Sequence, residues 1–502
     1  MRRTAAGLVC LALAVLATGC GSTVQVKSTL QSGGSGLGGT EAPAGTAAGQ
    51  SAGSGGLSTT APGSGGLTTT GGSATGGGGP SSGGTAAPQA GSTGGSALQP
   101  GAGSLTGPIE LGFMTTTVGN AQSLGVNAGQ TYSDQQMFDA LVKETNAHGG
   151  LAGRKILPVY GDTDTASSDW NTQFNAACSK LTQDHKVKAV LGYVFVFLDS
   201  FEQCLAKAGV AHLYGGYQPG DVQAQRDFPN VTSTTHPTVD VANLTVLKGA
   251  LQTGRLSTKS KLGILVDDCA HGLRAFANST EPYLKAQHLT YEVVKMDCAA
   301  GSGDAGPAAT SVKNAQLQFS AHGVDTVFAG GVALLLFMAN AESQSYHPQY
   351  LTSVGGAALE PNAPSGQLAN MHGFGWLPAV DTNQTHQPNA PRPAQQACLK
   401  MLRNQGLNPT AYNDFMAAYI ACDALNLYAR ALVRTGGRTD PAQIQQAVLA
   451  EMPGFAGAAT YDGVLRNGAG QRGGPGRWRE YGWTGSCSCF TYRGPTYPIP
   501  TP

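Results

Sequence analysis

Charge is scarce in this sequence, and neither sign predominates. Asp, Glu, Lys and Arg make up 12% of the 502 residues, with thirty basic residues against thirty acidic ones. A chain of zero net charge gives no reason to expect nucleic acid or an anionic membrane surface as a partner. Long apolar runs are also scarce. The one at the start, Ala5 to Ala17, has thirteen residues, fewer than the roughly 20 that span a bilayer. No later stretch approaches 18 consecutive apolar residues, so no spanning helix is expected in the body. Aromatic residues are missing altogether from 21 to 107, a tract of Gly, Ser, Thr and Ala with almost no charge. Nothing there repays the entropy of ordering, and it reads as a flexible tether. Its mean reach is on the order of 50 Å. Metal-type cysteine spacing is absent as well. The closest pair, Cys487 and Cys489, has one intervening residue instead of the two to four of a zinc knuckle, and no second such pair exists. No metal and no cofactor are expected.

What is present begins at the N-terminus. Arg2 and Arg3, the apolar run and the small residues Thr18-Gly19 make the three parts of a secretory signal peptide over 1–19. "ATGC", ending at Cys20, resembles the lipobox of bacterial lipoproteins. That resemblance implies a lipidated Cys20 as the mature N-terminus, anchored to the outer face of the cell membrane, where two or more acyl chains hold and one does not. Two G-x-S-x-G matches, Gly49–Gly53 and Gly79–Gly83, fall inside the tether. A nucleophile elbow needs a strand before it and a helix after it, so both are accidents of composition.

Beyond residue 107 about 395 residues remain, too many for one core and suited to two lobes. They alternate. "IELGFM" from Ile109 reads as a strand. A helix follows near Ser133, where Ser133 and Gln136 form a capping box. "RKILPVYGD" is a second strand, and Trp170, Phe174, Ala177, Cys178 and Leu181 make a helical stripe. Strands at Val187–Gly192 and "VAHLY" flank a helix over Phe201–Lys207. The rhythm restarts with "KLGILV", a helix over Gly272–Ala286, "TYEVVKM" and "VDTVFAG". Residues 361–393 read as loop and crossover, and three helices follow, near Ala394–Asn404, Ala411–Val433 and Pro441–Glu451. The fold class is α/β, with βαβ units on parallel sheets.

"KETNAHGGLAGRKILPVYGDTDT", "CSKLTQDHKVKAVLG", "KAGVAHLYGG", "KLGILVDDCAHG", "AHGVDTVFAGG" and "AYIACDALNLYARALVRTGG" resemble the type I periplasmic binding proteins, in the branch that binds leucine, isoleucine and valine. The resemblance covers about residues 108–465. It implies two Rossmann-like lobes joined by three crossings, near Val231–Thr235, Gly373–Leu377 and Thr460–Val464. The first lobe is then 108–232 with 374–462, and the second 233–373 with 463–502. It implies a monomer that captures a small-molecule ligand and hands it to an ABC transporter permease, and no enzyme. A ligand-sensing regulator of the same fold is the alternative. A membrane-anchored hydrolase is a third possibility, against which stands the lack of a nucleophile–base motif in the ordered region. Eight cysteines remain after Cys10 and Cys20, an even number that suggests disulfides in an exported chain. The family often bridges the pair at Cys178 and Cys204. Cys269 and Cys298 follow neighbouring strands of one βαβ unit, within bridging reach. Cys398 with Cys422 and Cys487 with Cys489 is one of three connectivities open to the last four.

Ligands of open parallel sheets sit beyond the carboxyl ends of the strands. That rule selects Thr116, then Tyr193 and Phe195 in "YVFVF", then Gly215, Gly216 and Tyr217 from the first lobe. From the second it selects His271, Gly331 and Val332. By the resemblance, His271 stands where the family stacks a tyrosine on the ligand. "DTDT" lacks the glycine and the final acid of a calcium loop and reads as a capped turn. Amino-acid-binding members place an acid after a late second-lobe strand, for the ligand's ammonium, whereas this chain has Gly355-Gly356 there, with Glu360 too late. The expected ligand is therefore neutral or carboxylate-bearing, with an apolar or ring portion. If His271 were protonated and paired with a carboxylate, affinity would rise as pH falls through about 6.5.

Overall fold

The computed structural model describes residues 107–117, 130–216, 219–382, 391–461, 465–468 and 471–501. The expected signal peptide over 1–19, Cys20, the expected tether up to residue 106 and Tyr217 lie outside the described residues. The first lobe starts with β1 (Ile109–Thr117), α1 (Asp134–Ala147), β2 (Ile156–Asp164), α2 (Trp170–Ser179), β3 (Ala189–Val194), α3 (Asp199–Lys207), β4 (Ala211–Gly216), α4 (Val222–Asp227) and β5 (Val231–Ser233). The second lobe holds α5 (Val239–Gln252), β6 (Lys261–Asp267), α6 (Ala270–Ala275), α7 (Glu281–Ala286), β7 (Thr290–Met296), α8 (Ala305–Ala321), β8 (Thr326–Phe328), α9 (Gly331–Ser343), β9 (Gln349–Thr352), α10 (Gly356–Leu359), α11 (Ser365–Leu368) and β10 (Met371–Gly375). A turn of π-helix, Phe276–Thr280, joins α6 to α7.

The chain then passes through α12 (Pro378–Asp381) and returns to the first lobe as α13 (Pro393–Asn404), α14 (Tyr412–Arg434) and α15 (Pro441–Glu451). Four strands end it: β11 (Leu465–Gly468), β12 (Gln471–Pro475), β13 (Arg477–Thr484) and β14 (Cys489–Pro498). The sheets run β11-β12-β5-β4-β3-β1-β2 and β14-β13-β10-β9-β8-β6-β7. Five strands of each are parallel, and β12 adds a sixth parallel strand to the first. An antiparallel partner closes one edge of each sheet, through β11–β12 in the first and β10–β13–β14 in the second.

Two expectations shift here. Strands β11 and β12 join the first sheet, so the last return to the second lobe falls at Gly476 and not at 460–464. The stretch 361–393, read as loop, contains β10, whose buried "MHGFG" is too glycine-rich to announce a strand. The α/β reading of the rest agrees. At the start of α1, Ser133 Oγ accepts the Gln136 N–H at 3.2 Å and Gln136 Oε1 accepts the Ser133 N–H at 2.9 Å. Asp169 caps α2 by accepting the Thr172 N–H at 3.1 Å.

Helices cover both faces of each sheet, which is what parallel strands, buried on two sides, require. On the first sheet α1, α13, α14 and α15 cover one face, where Phe113 packs against Phe138 with ring centroids 4.6 Å apart, and α2 and α3 cover the other. In the second lobe α5 packs on β9 and β10, and α8 and α9 fill the opposite face. One apolar cluster runs from α14 of the first lobe to α5 of the second, through Trp376 and Leu377 of the second crossing. Among the described residues, no helix is long and apolar enough to cross a membrane.

All eight cysteines of the body are paired, Cys178–Cys204, Cys269–Cys298, Cys398–Cys422 and Cys487–Cys489, with Cα separations between 4.8 and 6.4 Å. The third ties α13 to α14 across 24 positions. Closing a loop of that length stabilises a fold by about 3 kcal/mol in the chain-entropy view. The Cys398→Ser/Cys422→Ser variant should therefore lose about 3 kcal/mol in urea unfolding. The Cys487→Ser/Cys489→Ser variant should lose markedly less, because its ring constrains so little chain. Equal losses would contradict the loop-length argument.

Candidate ligand-binding cleft

Parallel strands send their carboxyl ends to one edge, and the two such edges face each other. In the first lobe, Thr116 at the end of β1 is buried. Its N–H is held by Asp134 Oδ2 at 2.9 Å, and its hydroxyl meets Thr163 Oγ1 at 3.2 Å and the Tyr193 carbonyl at 3.4 Å. Thr115 donates to Asp162 Oδ1 at 2.7 Å. Tyr193 pairs with Gly215 across β3 and β4, and Val194 with Gly216. A side chain at 215 would press within 2.3 Å of the Ile420 side chain on α14, and Gly216 has φ +131°, so packing requires glycine at the first position and backbone conformation at the second. The Gly216 N–H already donates to Thr235 Oγ1 at 3.3 Å, so it is not free to receive a carboxylate.

The aromatics of "YVFVF" divide. Phe195 packs on Trp170 at 5.1 Å and Phe174 at 5.7 Å, within the first lobe's outer helix layer. Phe197 instead reaches His271 across the lobes at 6.0 Å, edge to face, and also touches Tyr214. Strand periodicity cannot distinguish the two, because both follow the strand's last residue. Gly331 and Val332 open α9, and Val332 is 59% exposed, an apolar side chain left uncovered at the edge of a strand end.

Burial moves the titratable groups of these edges toward their neutral forms. It lowers the His271 pKa below the ordinary histidine value, against the pull of Asp267, Asp199 and Asp221 and with the help of Arg274. Protonation of His271 thus needs a pH lower than the expected 6.5, and the ring acts as a neutral hydrogen-bonding group around neutrality. Burial raises Asp267, with the His271 charge opposing. It raises Asp134 to about 6, with the Thr116 N–H and Gln130 opposing.

An acid does stand beside Gly355-Gly356, contrary to expectation, and it arrives from the second crossing. Asp381 is fully buried, and its Oδ2 accepts the Leu377 N–H at 3.0 Å and the Tyr492 hydroxyl at 3.1 Å. Its carboxyl lies where a Cβ on Gly375 would be, 2.2 Å away, and its backbone carbonyl crowds Gly356. Burial pushes its pKa well above the carboxylate range, so it brings a carboxyl but little negative charge. Glu360 is engaged elsewhere, accepting the Phe490 N–H of β14 at 2.7 Å. Nothing in the sequence pairs position 381 with 355, since only the fold of the crossing does so.

The two edges touch on both flanks. On one, the Trp170 N–H donates to the Ala300 carbonyl and the Ser302 N–H to the Ser167 carbonyl, each at 2.8 Å. On the other, Arg274 of α6 grips Asp221 through Nε and Nη2, both at 2.8 Å. The lobes are therefore in contact at both flanks of the cleft. Among the described residues, no group of three or more His, Cys, Asp or Glu could hold a metal ion.

The model of the periplasmic binding protein family matches residues 108–479, and the chain belongs to that family. The fold is shared with solved structures of low sequence identity. An ABC transporter substrate-binding protein from Desulfitobacterium hafniense in complex with Leu is 19% identical, with a TM-score of 0.51, and the match covers 77% of this chain and 100% of that one. The branched-chain amino acid transporter substrate-binding protein LivJ from Streptococcus pneumoniae, in complex with isoleucine, is 16% identical, with a TM-score of 0.53, 78% of this chain and 99% of that one. A fatty acid ABC transporter substrate-binding protein from Thermomonospora curvata is 14% identical, with a TM-score of 0.55, 80% of this chain and 97% of that one. No curated protein sequence matches the chain. This is a type I periplasmic binding protein fold, in a family of extracytoplasmic solute binders.

Asp134 yields a pH prediction. Its folded pKa of about 6 lies above the unfolded value of 3.8, so the native state holds the proton more tightly. The associated stability is present below about pH 4 and is lost as pH rises through 6, by up to about 3 kcal/mol. Compared in urea at pH 4 and pH 7, the wild type should lose stability relative to Asp134→Asn. A gap independent of pH would show that Asp134 titrates normally.

Proposed function

We propose that this protein is a lipoprotein, anchored through Cys20, that captures a small solute between its lobes and delivers it as a monomer to the permease of an ABC importer. The observation that supports the capture step is the contact of Phe197, which follows β3, with His271 of α6 across the two carboxyl edges, and the reading places Thr116 and Tyr193 on the first-lobe side of the cleft and the Gly331-Val332 turn on the other. Family membership supports the transport setting, and the length of the tether behind Cys20 supports anchoring at a distance from the membrane.

The ligand we infer is a neutral or carboxylate-bearing small molecule with an apolar or ring portion and no amino group. An ammonium in a closed, dry cleft costs several kcal/mol unless an ionised partner meets it. The acid beside Gly355-Gly356, Asp381, is held toward its neutral form. Two of the similar structures carry Leu and isoleucine, and a third is described as a fatty acid binder. The reading follows the third.

Calorimetry with leucine and with a short-chain carboxylic acid separates the two chemistries. The acid should bind and leucine should not. Leucine binding that is lost on removal of its amino group would overturn the reading, and loss of that binding in Asp381→Asn would then identify the partner of the ammonium. Membrane attachment is tested separately. Cys20→Ser should move the protein to the soluble fraction or block its processing, whereas a cleaved variant that stays membrane-bound would contradict the lipid anchor.

A further inference from the structure

The four disulfides are not alike. Three close loops across 24 to 29 positions and tie one element to another. Cys178–Cys204 joins α2 to α3, Cys398–Cys422 joins α13 to α14, and Cys269–Cys298 joins the start of α6 to the loop after β7. Cys487–Cys489 spans two positions and ties only the turn after β13 to the first residue of β14.

That hairpin is held together without the bridge. Strands β13 and β14 pair over eight positions, from Arg477 with Pro498 to Thr484 with Cys489. Trp483 meets Phe490 edge to face with ring centroids 5.3 Å apart, and the Thr484 and Thr491 hydroxyls meet at 2.5 Å. Glu360 accepts the Phe490 N–H at 2.7 Å, which fixes the start of β14 to the body. A covalent tie at the tip adds little to a register so fully specified.

The two cysteines also differ in surroundings. Cys487 stands in the exposed turn over 485–488, whereas Cys489 is fully buried. An accessible sulfur beside a shielded partner is the arrangement that exchange chemistry uses, because access decides which sulfur is attacked and the neighbour resolves the product. Exposure alone does not single this bridge out, since Cys298 is exposed too. The loop does. A bridge that stabilises a fold is stabilised by it in return, and Cys269–Cys298 has that protection across 29 positions. Cys487–Cys489 has little of it.

We propose that Cys487–Cys489 is a thiol–disulfide exchange site, with Cys487 as the reacting sulfur and Cys489 as the resolving one, and that its substrate is a thiol or dithiol outside the cytoplasm. In the reductive direction an incoming thiolate bonds to Cys487 Sγ. The Cys487–Cys489 bond breaks, and its electron pair leaves on Cys489 Sγ, which takes up a proton. A second thiolate then attacks the substrate sulfur of the mixed disulfide, and Cys487 leaves with the electron pair and gains a proton. Two substrate thiols are thereby oxidised to one disulfide while the bridge is reduced to a dithiol. The reverse sequence reduces a substrate disulfide, with Cys487 attacking and Cys489 resolving.

The test uses the folded full chain in glutathione buffers of graded reduced-to-oxidised ratio, with free thiols trapped by alkylation and mapped. Cys487–Cys489 should reach half reduction in a buffer at least about tenfold less reducing than any of the other three bridges requires. If the four are reduced together, or this one last, the bridge is structural and the proposal fails. The roles are tested on protein reduced at this bridge alone and then mixed with oxidised glutathione. The wild type should re-form the bridge and release two glutathione thiols per chain. Cys489→Ser should stop at glutathionylated Cys487 with one released, and Cys487→Ser should react at least about tenfold more slowly than Cys489→Ser, since its remaining thiol is shielded. Equal rates in the two variants would overturn the assignment. Thioredoxin in place of glutathione separates the sources of the thiol, and either result supports the site. Faster reduction by thioredoxin points to a protein dithiol, and faster reduction by glutathione to a small thiol.

Discussion

The parallel alignment of the strands is the constraint from which the rest follows. Parallel neighbours cannot be joined by a tight turn. Each needs a crossover, and the crossovers become the helices that bury both faces of each sheet. The same alignment sends every carboxyl end, with its loop and its unpaired backbone groups, to one edge. Two such edges brought together make a cleft that is polar in its backbone and selective in its side chains. The apolar cluster that threads from α14 through Trp376 to α5 keeps the two lobes one body behind that cleft.

How far the sequence foretold this depends on the range of the signal. The βαβ rhythm is local, and it was legible from Ile109 to β8 and again in the three late helices, down to the Ser133–Gln136 box. The pairing of Cys269 with Cys298 was also legible, since neighbouring parallel strands end at the same level. The strands β10 to β14 were not. Their sequences are rich in Gly, Arg and Pro, and the antiparallel partners of β13 are fixed by the sheet edge they meet and not by their own periodicity. The cleft was legible as a set of loops and not as a set of side chains. Phe195 and Phe197 differ by two positions, yet one fills the helix layer and the other faces His271.

Glycine shows the same division. At Gly215 the sequence suggested a position lining the ligand, where glycine lets another group come close. The approach is real, but it is toward Ile420 of α14, 2.3 Å from where a Cβ would stand. At Gly355-Gly356 it suggested a missing acid. The space is instead taken by Asp381, whose carboxyl fits only because Gly375 has no side chain. In both places the small residue makes room for protein, so a glycine in a binding loop reports a close neighbour without saying which one.

Bringing polar edges against each other has an electrostatic consequence that links these details. Asp267 and His271 sit four residues apart around the start of α6, and burial pushes the first up and the second down, each toward its neutral form. Asp134 across the cleft and Asp381 behind it move in the same direction as Asp267. The exception is Asp221, whose pKa stays below the ordinary value because Arg274 and the Ala224 N–H outweigh its desolvation. Charge is thus retained at the flank where a partner meets it and reduced in the interior where none does. An interior of this kind discriminates against ions that bring no counter-charge, since desolvation costs them most. The same asymmetry lets an ion pair between the lobes and an uncharged binding surface lie one helical turn apart, on Arg274 and His271.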